Sequence, residues 1–234
     1  MKKIGIIGAM EVEVASLKSA MQVSRMLQKA QMEFLEGELE GCQVVVVRSG
    51  IGKVNAAVCT QILVDEFGVD GVINTGIAGS LKAEINIGDI VLSTDVLHHD
   101  MDATGFGYKK GQIPQMDDFS FQADEKLRNM AAKVCQEVNP EISVFEGRIC
   151  SGDQFISDND TKAALVKDYD GYCAEMEGAS MAQVATLNKV PFVIIRAISD
   201  KADNSAPVAY ETFEEQAIVH TVKLLAAMFL KMSK

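Results

Sequence analysis

The apolar positions of this chain fall into short continuous runs rather than a strict alternation. The runs are KIGIIGA (3–9), QVVVVRSG (43–50), GVINTG (71–76), DIVLST (89–94), GRICSGD (147–153) and FVIIRAISD (192–200). Val and Ile in such runs, bounded by Gly, Ser and Asp, are the pattern of strands buried on both faces. Between the runs, the spacing predicts helices over about 53–67, 124–137 and 175–188. A long amphipathic helix follows near the C-terminal end, with Phe213, Ala217, Val222, Leu225, Met228 and Met232 near one face. EFLEGELEGCQVVVV adds a hairpin with Gly41 near its turn. The order, mostly strand then helix, predicts a largely parallel or mixed sheet covered by helices. With no internal repeat, low-complexity tract or linker, the 234 residues read as one domain, 1–234.

Composition narrows the class. A hydrophobic content of 48% is enough for a large core, and a net charge of -11 disfavours any partner gripped through its phosphate backbone. Nucleic acid is therefore not an expected partner. No apolar stretch approaches the roughly 20 residues that span a bilayer, so no membrane partner is expected either, and the protein reads as unexported and cytoplasmic. Cys42, Cys59, Cys135, Cys150 and Cys173 are scattered, with no C-x-x-C pair. That spacing fits neither a zinc site nor a disulfide framework and predicts reduced, buried thiols.

In an open α/β sheet ligands bind beyond the carboxyl ends of the strands. Those ends carry GAMEVEV, SGIGKVNAA, NTGIAGS, SGDQF and AISDKAD. GIGKVN begins like a dinucleotide fingerprint, but Asn55 takes the third glycine position and no acid closes a following strand. A P-loop fits less well, because Val54 follows Lys53 and Val47 takes the first glycine position. The glycines read instead as a tight turn or a close approach to a small ligand. HHDMD offers His98, His99, Asp100 and Asp102, yet adjacent loop residues seldom all face one ion, so no metal is expected.

Glu13, Glu177 and Asp200 form the more informative set. Singly, Glu13 fits an ordinary first-turn helix acid, Glu177 a solvated surface residue and Asp200 a cap or turn. Together they point to acid–base work on a small polar molecule, because two of them follow buried strands at one sheet edge. On a helix over 175–188, Glu175 and Glu177 stand about 200° apart and cannot serve one site. The stripe Glu177, Met181 and Val184 favours Glu177 as the inward acid.

Taken in order and spacing over nearly the whole chain, GIIGAMEVEV, SGIGKVNAA, NTGIAGS, IGDIV, SGDQFI, EMEGAS and VIIRAISDKAD resemble the 5′-methylthioadenosine/S-adenosylhomocysteine nucleosidases of the nucleoside phosphorylase superfamily. The resemblance implies a three-layer α/β/α fold with a mixed central sheet, a homodimer, no cofactor, and hydrolysis of the N-glycosidic bond of an adenine nucleoside. By motif match, Asp200 is the acid that protonates adenine N7, with Ser199 holding it. Glu13 activates water, and Glu177 grips the ribose hydroxyls beside Met176 and Arg196. Phe155 stacks on adenine, Ile156 meets it through its backbone, Ala78 and Gly79 line the pocket, and Met10 and Ile51 make apolar contacts. Tyr210 falls over the 5′ substituent. DMDATGFGYKKGQIP resembles the segment that reaches the partner's site, so Ala103, Phe106 and Pro114 close the 5′ pocket across the dimer, which accounts for HHDMD without a metal. Ile77 and Ser80 depart from the usual serine and glycine of NTGIAGS-like segments.

An acid with an ordinary pKa of about 3.9 must be desolvated, or share a proton, to donate near neutrality, which predicts a buried Asp200. Of the alternatives, a phosphorylase needs cationic or N–H-rich cradling of phosphate where this chain has Glu13. Aminofutalosine carries the same adenosine-like half on a larger 5′ group. A nucleoside-binding protein without activity has no need of both Glu13 and Asp200.

Overall fold

A computed structural model describes residues 1–201 and 206–233, with the side chains of residues 206–216 outside that description. In chain order the elements are β1 (Lys3–Gly8), α1 (Glu11–Ala20), β2 (Gln22–Lys29), β3 (Met32–Leu39), β4 (Cys42–Arg48), α2 (Lys53–Phe67), β5 (Gly71–Ser80) and β6 (Ile90–His98). There follow β7 (Phe121–Gln122), α3 (Glu125–Val138), β8 (Val144–Ser151), α4 (Asn159–Tyr169), β9 (Cys173–Glu175), α5 (Gly178–Leu187), β10 (Phe192–Asp200) and α6 (Ala206–Met232).

The described strands form one mixed sheet of 10. β1 runs parallel to both β4 and β5, and β10 runs parallel to β5, so four carboxyl ends share one edge. β10 also pairs antiparallel with β6, and β9 joins β8 to β5. With β6 on β8, this half of the sheet curls into a closed ring. From it β1, β4, β3 and β2 extend as an open ribbon. Closure leaves the ring strands β5, β6, β8, β9 and β10 no free edge, whereas β2 ends the ribbon as an edge strand.

The pleat explains the continuous apolar runs. Ile4, Ile6, Val44, Val46 and Ile73 pack with α1, α3 and α6, while the alternate Ile7, Val45, Val47 and Val72 pack with α2 and α5. Burying both faces removes the need for a polar alternate position. The result is the expected three-layer α/β/α arrangement. The β3–β4 hairpin is also as expected: Glu40 and Gly41 both have positive φ between the paired Leu39 and Cys42, which matches the right-handed twist of the strands.

Other elements differ from the sequence expectations. β2 is exposed along nearly its whole length, so its sequence lacks the buried run that marks the other strands. α4 is short and mostly polar, with Lys162, Leu165 and Tyr169 buried on one stripe. The helix expected over 175–188 begins only at Gly178, because Cys173–Glu175 is a strand. β5 and β6 run on to Ser80 and His98, beyond the expected ends at 76 and 94. Among the described residues no helix is long and apolar enough to cross a membrane.

Candidate active site

A pocket of about 470 Å³ opens at the shared strand edge, lined by Ala9, Met10, Glu13, Ile51, Ile77, Ala78, Gly79, Phe155, Ala174, Glu175, Met176, Glu177, Ser199 and Asp200. Most of the residues singled out in the sequence meet here.

Glu13 stands in the first turn of α1 and is buried. One carboxylate oxygen accepts from the backbone N–H groups of Ala9 at 2.6 Å and Met10 at 2.9 Å, and the other from Ile77 at 3.1 Å. It thus caps its own helix and reaches across to β5. Burial raises its pKa, opposed by the Arg196 charge and by these N–H groups.

Glu175 and Glu177 both face inward, which corrects the helical expectation. The chain at Glu175 is a strand and Glu177 only precedes the first turn of α5, so the two do not share one helix and its 200° separation does not apply to them. Glu175 accepts from the N–H of Glu177 at 3.2 Å and of Gly178 at 2.8 Å, and pairs with the Arg196 guanidinium. Its negative charge therefore sits at the positive end of α5. Glu177 accepts from the N–H of Gly52 at 2.9 Å and lies 3.6 Å from Arg196 Nη2. Burial first, and then the neighbouring Glu175 charge, push Glu177 up to about 7, against the pull of Arg196 and Gly52.

Arg196 is fully buried on β10 and also donates to Asn74 Oδ1 at 2.6 Å. It stands beside Glu177, as expected, but is not among the residues that line the pocket. It lies beneath, as the counter-charge to Glu175 and Glu177.

Asp200 is buried, as expected of an acid that must hold a proton. Ser199 Oγ donates to its Oδ1 at 3.1 Å, and Lys162 Nζ lies 3.3 Å from its Oδ2. The register of β10 on β5 shifts between Ile198 and Asp200. This bulge lets the consecutive Ser199 and Asp200 both reach the pocket, which a regular pleat forbids.

Phe155, Met176, Met10, Ile51, Ala78 and Gly79 line the pocket. The Ile156 side chain turns away into a cluster with Leu81, Leu165 and Tyr169, so any contact with a ligand falls to its backbone. Ala103, Phe106 and Pro114 are not on the pocket of their own chain, and Phe106 is 87% exposed. The Tyr210 side chain lies outside the described residues. In HHDMD, His98 Nε2 meets Gln183, Asp100 accepts from Lys53 Nζ at 2.7 Å and from the N–H of Asp153 at 3.0 Å, and Asp102 accepts from Thr104. Sequence reasoning missed Ala9, Ala174 and Glu175 as pocket residues and Ile77 as the donor to Glu13. For Glu175 no local signal was present, because Ala174 and Glu175 are good helix formers and only pairing with β5 and β8 makes Cys173–Glu175 a strand.

Comparisons with known proteins agree with this geometry. The family model described as the phosphorylase superfamily matches residues 3–231. A 5′-methylthioadenosine/S-adenosylhomocysteine nucleosidase of Bacillus velezensis is 44% identical over 224 residues, covering 95% of this chain and 96% of that protein. The nucleosidase of the same name from Neisseria meningitidis, solved with methylthio-immucillin-A, superposes with a TM-score of 0.94 at 38% identity, covering 99% of this chain and 100% of that one. A futalosine hydrolase of Helicobacter pylori superposes with a TM-score of 0.90 at 33% identity, covering 97% of each chain. With fold, strand-edge pocket and full-length similarity in agreement, the chain belongs to the phosphorylase superfamily and, within it, to the 5′-methylthioadenosine/S-adenosylhomocysteine nucleosidases, which are N-ribosyl hydrolases.

Proposed function

We propose that this enzyme hydrolyses the N-glycosidic bond of 5′-methylthioadenosine and S-adenosylhomocysteine, and of 5′-deoxyadenosine, releasing adenine. The observation that carries the reading is Glu13, a buried carboxylate held by three backbone N–H groups at the pocket wall. A carboxylate there repels a phosphate nucleophile and suits a water that must lose a proton. Arg196, the nearby cation, is occupied by Glu175, Glu177 and Asn74.

In the proposed reaction Asp200 gives its proton to adenine N7 while the C1′–N9 bond breaks, so adenine leaves neutral. The sugar becomes oxocarbenium-like, and the carboxylates around it stabilise the developing positive charge. Glu13 takes a proton from water as it attacks C1′. Glu177 accepts from the ribose hydroxyls, an arrangement that favours its ionised form. Phe155 stacks on the base, and Ile156 meets it through its backbone. Ala78 and Gly79 line the sugar and base region, and Met10, Ile51 and Met176 supply apolar contact.

A homodimer belongs to the same proposal, with Ala103, Phe106 and Pro114 of a second copy closing the 5′ end. In its support, Ile51, Val54 and Val58 at the start of α2, Leu187 at the end of α5 and Phe106 are large apolar side chains left exposed. α2 and α5 are tied together by the bond from Asn188 to Gln61. A larger 5′ group, as in aminofutalosine, is the second reading, favoured by the similarity to the futalosine hydrolase.

Product analysis with 5′-methylthioadenosine, with and without phosphate, tests the proposal. Free methylthioribose and adenine, indifferent to phosphate, are expected; sugar 1-phosphate formed only with phosphate overturns hydrolysis, and turnover confined to aminofutalosine selects the second reading. Asp200→Asn is expected to lower kcat by about 10²-fold or more while adenine binding persists.

A further inference from the structure

The reaction above leaves a buried cation without a role. Lys162 is 4% exposed, on the inward stripe of α4 with Leu165 and Tyr169. A lysine carried to such a position is unfavourable unless its charge is matched. Its Nζ lies 3.3 Å from Asp200 Oδ2 and donates to the Lys201 carbonyl at 2.7 Å, spanning the point where β10 ends.

We propose that Lys162 is a positioning residue for N-glycosidic cleavage, whose ammonium holds the Asp200 carboxyl at the end of β10 and sets the pH above which Asp200 has no proton to give. The inference rests on the reading of Asp200 as the acid. Lys162 transfers no proton itself: the Asp200 O–H bond breaks, the N7–H bond forms, and the electron pair of C1′–N9 leaves with adenine.

The physical argument is a balance. Burial favours the neutral acid, whereas a cation within about 4–6 Å favours the carboxylate by roughly 1–3 pH units. An acid left to burial alone stays protonated but is reluctant to give its proton up; the ammonium makes it a stronger donor. Among the described residues, the other groups beside Asp200 differ in kind. Ser199 offers a neutral hydroxyl, and Gly79 on β5 brings backbone alone beside the carboxyl. The buried Cys173 thiol of β9 is kept neutral by desolvation. Glu13 on α1 and Glu175 and Glu177 ahead of α5 are acids and supply no second cation, and Arg196 on β10 is matched to them.

The test is the pH profile of kcat/KM for 5′-methylthioadenosine in the wild type, Lys162→Met and Lys162→Arg, with Asp200→Asn alongside. Lys162→Met is expected to move the alkaline limb up by about 1 pH unit or more. It is also expected to lower kcat at neutral pH by about tenfold or more, with KM little changed, through loss of the hold on β10. Lys162→Arg, permanently charged, returns the limb to its wild-type position. Lys162→Gln carries the same test if the Met variant does not fold. A folded neutral variant whose limb stays in place overturns the proposal, even if its rate falls. The underlying reading fails separately: Asp200→Asn that retains turnover removes the acid role, whereas an inactive Asp200→Asn beside an unmoved limb removes only the role of Lys162.

Discussion

Gly76 sits where Glu13 from α1 and Arg196 from β10 approach β5. A methyl group built on it would overlap both Arg196 Nη1 and Glu13 Oε1. The glycine is needed for space, since only without a Cβ can the carboxylate and the guanidinium pass so close to the strand. Gly76→Ala is expected to destabilise the protein by about 1–3 kcal/mol through overpacking. It should also lower turnover by displacing Glu13, as urea unfolding and an adenine-release assay would show; unchanged stability would mean that the two side chains give way freely. At this scale the sequence displayed the right atoms but not their reasons. Glu13 and Asp200 were legible as acids at strand ends, whereas Glu175 was misread because a helix was extended over residues that form a strand.

At the scale of elements, the pocket wall is assembled by hydrogen bonds between loops. The Gly52 N–H holds Glu177, the Lys53 N–H donates to Asp153 Oδ1 at 2.8 Å, and Asp100 accepts from both Lys53 Nζ and the Asp153 N–H. The start of α2 thereby fixes the segment that presents Phe155. Asp153→Ala is expected to raise KM by about tenfold, the worth of a hydrogen bond with charge on one partner, with less effect on kcat; steady-state kinetics check this, and an unchanged KM would show the segment held by packing instead. The boundaries of α2 were readable because Gly52 precedes it with φ +98 and Gly68 ends it in the left-handed region. α4 was not, because its buried stripe includes a lysine, a residue that sequence patterns assign to solvent.

Across the whole molecule, buried charge at the site couples stability to pH. One guanidinium, that of Arg196, faces Glu13, Glu175 and Glu177, so the carboxylates are not fully matched. Glu177, pushed from an ordinary 4.5 to about 7, keeps a proton in the folded state over a range where the unfolded chain has already released it. Its contribution to stability is therefore full below about pH 4.5 and lost as pH rises through 7. Glu177→Gln, which cannot ionise, should gain stability over the wild type by about 3 kcal/mol between pH 4.5 and 8. Urea unfolding at both pH values measures that difference, and a gap that does not change with pH would place the ionisation elsewhere.

The sequence by itself determined the buried strands, the helices that cover them and the edge at which acids collect, because periodicity and turn residues express local backbone geometry. Its motifs carried the family. The tertiary structure alone decided that the sheet curls into a ring, that a bulge turns both Ser199 and Asp200 into the pocket, and that Lys162 reaches Asp200 from α4. These depend on strand register and on contacts between distant segments. Local pattern carries no record of either.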